Sequence, residues 1–103
     1  MVARGEIWWY EDPRVDRRPH LILTRDAAIP VLNQILAVPA SRAIRGIPTE
    51  VPLDPSDGVP SECALTLDNL HLIRPALCTE RITRLGPDKM AAVCDALRIA
   101  TGC

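Results

Sequence analysis

Short apolar runs broken by Pro and Gly fill the first 85 residues, and each reads as a strand. Gly5-Glu6-Ile7-Trp8-Trp9-Tyr10 opens the series, rich in β-forming residues. Glu11 to Arg18 is a charged loop carrying Pro13. Pro19 to Thr24 is largely apolar, which predicts a central strand. Asp26 is placed to cap a single turn over Ala27 to Ile29, ended by Pro30. Gln34 to Pro39 is a third strand, and Ser41 to Gly46 an Arg-bearing loop. Thr49 to Leu53 alternates polar and apolar residues, and Pro52 places it at an edge. Asp54-Pro55-Ser56-Asp57-Gly58 has the composition of a turn. Cys63 to Leu67 and Leu70 to Ile73 are further strands parted by Asp68-Asn69, and Ile82 to Leu85 is the last.

The period then changes. Gly86-Pro87-Asp88 is a helix start, with Pro at the first helical position and an acid in the first turn. Met90, Val93, Cys94, Leu97 and Thr101 recur at the spacing of a helix with one buried face, and Gly102 fits its stop. Short strands followed by one amphipathic helix predict a mainly β fold, a small barrel with a helix packed on it. At 103 residues this is one domain, 1–103. The longest uncharged run, Ala27 to Ser41, is too short and polar to span a bilayer. No leader pattern is visible at the start, so the reading is a cytoplasmic protein with reduced thiols. The four Cys form no CxxC pair, and Cys63 and Cys94 fall in apolar patterns as core residues.

Charge adds a finer pattern. The net charge is -1, which argues against a uniformly basic nucleic-acid binder. Yet the 12 basic residues are 11 Arg and one Lys, Lys89, and residues 1–45 carry a balance of +2 against -3 for the rest. A GC-rich genome is the bland alternative for this preference for Arg. Phosphate-loop and metal motifs are absent, and His20 and His71 do not form a ligand pair, so no metal and no cofactor is expected. Two arginine clusters remain: Arg17-Arg18-Pro19, and Ser41-Arg42-Ala43-Ile44-Arg45-Gly46. Loops at one end of a barrel converge, so these guanidinium groups can surround one phosphodiester, with Ser41 adding a hydroxyl. The alternative is solvated loop arginines paired with Asp16, Glu11 or Glu50.

Ordered fragments across the chain carry a resemblance. They are Arg4-Gly5-Glu6-Ile7-Trp8, Arg17-Arg18-Pro19 running into Leu21-Ile22-Leu23, and Thr24-Arg25-Asp26. Ser41 with Ile44-Arg45-Gly46-Ile47-Pro48-Thr49-Glu50-Val51 follows, then Leu67-Asp68-Asn69-Leu70 and the tail from Arg81-Ile82 to Ala96-Leu97. Together they resemble the MazF/PemK family of toxin endoribonucleases. The resemblance implies an SH3-like barrel with a C-terminal helix, forming a homodimer. It implies metal-independent cleavage of single-stranded RNA, usually mRNA, at a short sequence, leaving 2′,3′-cyclic phosphate and 5′-hydroxyl ends. It implies a cognate antitoxin with an acidic disordered tail. By position, Arg18 matches the family's catalytic arginine, and Ser41 a position more often Thr. Arg17, Arg42, Arg45, Asn69 and His71 are the implied RNA contacts. The chain departs from the pattern in its first loop, which is short and lacks the Gly-Ser-Glu-type segment of many relatives. Two rival readings have the same fold: a non-enzymatic, CcdB-like gyrase-binding toxin and a plain SH3-like interaction module. Nothing aromatic follows Tyr10, whereas the gyrase binders rely on an aromatic near the C-terminus.

Overall fold

The structure, a computed structural model, describes residues 1–103. Seven strands make one rolled antiparallel sheet: β1 (Glu6–Tyr10), β2 (Arg18–Ile22), β3 (Ile35–Ser41), β4 (Glu50–Leu53), β5 (Cys63–Thr66), β6 (His71–Ile73) and β7 (Cys78–Arg84). Their order is β4-β5-β3-β2-β1-β7, with β6 also paired to β3. One helix, α1 (Pro87–Thr101), closes the chain. β2 lies between β1 and β3, the central place its apolar sequence predicts. β4, with Pro52, pairs only with β5 and is an edge.

Several boundaries differ from the sequence reading. β7 begins at Cys78, not Ile82. Its first half is Thr, Glu and Arg on an edge strand that faces solvent, so no apolar alternation marks it. The turn near Pro30 is a 3-10 turn at Ile29–Val31 with Pro30 inside it. Proline is tolerated there because a first-turn N–H has no helical partner. Asp26 does not cap it; its Oδ1 accepts from the Arg4 backbone N–H at 2.7 Å. β3 runs through Pro39 to Ser41, and Pro39 sits where β3 leaves β6 and takes up β5. Asp68 and Asn69 belong to a 3-10 turn at Leu67–Asn69.

The core lies in two parts. Ile7, Leu21, Val38, Leu65 and Val93 are fully buried between the sheet and α1. A second cluster on the other side of the sheet holds Tyr10, Ile22, Ile35 and Ile73. Deleting a buried side chain of this size costs roughly 2–5 kcal/mol. On α1 the buried stripe is Val93 and Ala96, flanked by Met90, Leu97 and Ala100; Thr101 is exposed. The true stripe is thus turned slightly from the predicted one. Gly102 ends α1 with φ +74° and donates to the Arg98 carbonyl at 2.8 Å.

β4 and the turn after it are tied to α1 and β7 by side chains. Thr83 Oγ1 donates to the Asp57 carbonyl at 3.1 Å. Gly58 has φ +96°, and a Cβ there would collide with the Thr83 side chain, so only Gly fits. Lys89 of α1 donates to the Pro52 carbonyl at 3.0 Å and lies 3.7 Å from Asp57.

Candidate active site

The β1–β2 loop and the start of the β3–β4 loop meet at one end of the barrel, as the two arginine clusters require. Between them lies a groove of about 480 Å³. Trp9, Arg17 and Arg18 form one side, Ser41 and Arg42 another, and Pro60-Ser61 from the β4–β5 connection a third. No pattern in the chain points to this third wall, since Pro and Ser there read only as turn residues.

The two Trp point to opposite sides of β1. Trp8 packs against the second core cluster and donates from Nε1 to Glu6 at 3.1 Å. Trp9 faces the groove, with the Arg17 guanidinium 4.0 Å from its ring centre. Arg17 is also held by Glu11 at 3.2 Å and Glu80 at 3.5 Å. Glu11 accepts from the Thr79 hydroxyl, and that bond and Arg17 hold its carboxyl below the usual carboxylate range. Asp12 is buried and takes Arg14 twice, at 2.8 and 3.1 Å, with a third bond from the Arg14 backbone. These bonds hold its carboxyl far below the usual range. Glu11 and Asp12 are therefore committed to neighbours. Asp16, the third acid of the loop, has no ion pair and lines the groove beside Arg18.

Arg18 and Arg42 are the open charges: both are exposed and neither makes a salt bridge. Ser41 Oγ accepts the Ala43 backbone N–H at 3.1 Å, which leaves its O–H to donate outward. Arg45 is turned away. Its Nε meets Glu50 at 3.3 Å, and the backbone N–H groups of Arg45 and Gly46 donate to the same carboxylate at 2.9 and 3.0 Å. Burial raises the Glu50 pKa, but these bonds outweigh it and the carboxyl stays below its ordinary value. Asn69 is exposed on its 3-10 turn and lines neither this groove nor the next.

A second groove of about 460 Å³ lies on the other side of Arg18, which lines both. It holds Arg14, Asp16, His20, Pro39 and His71. So the structure gathers Arg17, Arg18, Ser41 and Arg42 in one groove and His71 in its neighbour. Cys63 reaches the first groove, but burial, then Asp57, pushes its thiol up. Burial raises Cys78 to about 11, so neither offers a thiolate nucleophile. No helix is long and apolar enough to cross a membrane.

Residues 3–101 match the family model described as PemK-like, MazF-like toxin of type II toxin–antitoxin system. The chain is 43% identical to the probable endoribonuclease MazF5 of Mycobacterium tuberculosis, covering 100% of this chain and 95% of that protein. Its fold is similar to that of M. tuberculosis toxin MazF-mt6, with TM-score 0.85 and 28% identity over 94% of this chain and 96% of that one. It also superposes on a mycobacterial endoribonuclease solved with its cognate antitoxin, with TM-score 0.89 and 24% identity over 99% and 96% of the two chains.

Proposed function

The chain belongs to the PemK-like, MazF-like toxin family of type II toxin–antitoxin systems, and on that premise we propose that it is an endoribonuclease cutting single-stranded RNA at Arg18. One observation carries the assignment. Arg18 is the unpaired guanidinium shared by both grooves, so a phosphate held there has room for a nucleotide on either side.

Cleavage by the RNA's own 2′-oxygen needs the charge of the phosphorane stabilised, and needs no metal to make a nucleophile. Arg18 supplies that charge, the interaction type that usually contributes most. A guanidinium keeps its proton in proteins, which bars it from acting as a base. Ser41 donates its free O–H to a phosphate oxygen, and Arg42 adds a second cation. Trp9, backed by Arg17, offers a face on which a base stacks. The products are a 2′,3′-cyclic phosphate and a 5′-hydroxyl.

The same open arginines suit an acidic, disordered antitoxin segment that would occupy the groove in place of RNA. A second copy of the chain would pair over Leu32, Leu36 and Leu72, which are exposed together along one further groove. Incubating purified protein with single-stranded RNA in EDTA tests the reading. Cyclic-phosphate and 5′-hydroxyl ends are expected; intact RNA at stoichiometric protein would overturn it.

A further inference from the structure

His20 and His71 are 51 positions apart and meet across β3. His20 stands opposite Pro39 and His71 opposite Ala37, so all four share one face of the sheet. The small Ala37 leaves room for the rings to close over β3, and their Nε2 atoms lie 2.9 Å apart.

The remaining contacts fix the protons. Nδ1 of His20 lies 3.1 Å from the Arg18 carbonyl oxygen. A carbonyl only accepts, so this nitrogen carries hydrogen. Nε2 of His20 is then a lone pair, and Nε2 of His71 must be the donor toward it. That leaves Nδ1 of His71 as an open acceptor on an exposed residue, in the groove that Arg18 also lines. His20 itself is buried, and burial lowers its pKa to about 4, so it stays neutral and available as an acceptor.

We propose that His71 is the general base of the cleavage, with His20 as the positioning residue that holds it in its basic tautomer. This rests on the RNA-cleaving reading above. The 2′-hydroxyl proton passes to Nδ1 of His71 as the 2′-oxygen bonds to phosphorus and the bond from phosphorus to the 5′-oxygen breaks. The leaving 5′-oxygen takes a proton from water, and the hydroxide left is neutralised by the proton on His71. As His71 gains charge, its hydrogen bond to the His20 lone pair becomes charge-assisted and strengthens. The assignment also sets strand polarity. The nucleotide 5′ to the cut lies in the His71 groove, and the one 3′ to it lies against Trp9.

The groups facing the pair are Tyr10 from β1, Asp12, Arg14 and Asp16 from the β1–β2 loop, Arg18 from β2, and Arg74 after β6. Asp12 is neutralised by Arg14, which leaves Asp16 against Arg18 and Arg74. No carboxylate bonds either ring, so His20 is the sole partner available to His71.

Single-turnover cleavage against pH, with wild type, His71→Ala and His20→Phe, tests the proposal. The wild-type rate should fall on the acid side, since a protonated Nδ1 accepts nothing. His71→Ala should lose at least about 100-fold, the usual worth of a general base, and lose the acid limb. Added imidazole should restore part of that rate. His20→Phe keeps ring volume without the acceptor; it should lower the saturating single-turnover rate, hold the half-saturating protein concentration and move the acid limb. A His71→Ala rate within threefold of wild type, or an unchanged acid limb, would overturn the proposal and leave the nuclease standing. Intact RNA with wild type would remove both.

Discussion

Two loops bring arginine to the same groove, and each divides its arginines the same way. In the β1–β2 loop, Arg14 and Arg17 are tied to Asp12 and Glu11, while Arg18, where the loop enters β2, is open. In the β3–β4 loop, Arg45 is tied to the buried Glu50, while Arg42 is open. The tied arginines shape the loop, and the open ones face the groove. The loops differ in what anchors them. Glu50 is a strand residue gripping three groups of one short turn, whereas the first loop is held by separate pairs along its length. A chain of net charge -1 can therefore present a positive groove, because local pairing decides which charges remain available.

Substitutions should separate the two classes. Arg18→Ala should have the largest effect, lowering single-turnover cleavage about 100- to 1,000-fold with little change in thermal stability. Acid should weaken the fold through His20, which ends the first loop by donating to Arg18. Its pKa is lowered on folding, so its contribution is complete above the unfolded value near 6.5 and is lost as pH falls toward about 4. Denaturant titrations should show about 3 kcal/mol less stability at pH 4 than at pH 7 from this group, a difference that shrinks in His20→Phe. Glu11, Asp12 and Glu50 act in the same direction at lower pH, since folding lowers all three. Arg42→Ala should weaken RNA cleavage about tenfold, the worth of one charge-assisted hydrogen bond. Arg45→Ala should change cleavage by about threefold or less, as befits an arginine whose head is exposed and paired. A larger loss in Arg45→Ala than in Arg42→Ala would reverse the division between tied and open arginines.

Much of the fold was legible because most strands are short apolar runs bounded by Pro, Gly or charge. β2, β3 and β5 are such runs and are mostly buried, whereas β7 is an edge whose first residues face water. The convergence of Arg17-Arg18 with Ser41-Arg42 followed from loops sharing one barrel end. What pairing each arginine adopts did not, because Glu11, Asp16 and Glu50 were equal candidates by spacing. Folding separates them: Glu50 is held in β4 directly behind Arg45, Glu11 lies beside Arg17, and Asp16 is left over. The pairing of His20 with His71 was illegible for another reason. It depends on β6 docking on the far side of β3, in a register that no local pattern in a three-residue strand reveals.

The contact between Lys89 and Pro52 has a consequence for assembly. The strands that end the sheet order, β4 and β7, invite further strands to add and propagate into fibres. At position 52 proline offers no amide hydrogen, and the chain's one lysine already occupies the carbonyl. β7, at the other margin, carries Glu80, Arg81 and Arg84. These two margins thereby resist backbone recruitment, which disfavours growth of the sheet beyond β4 and β7.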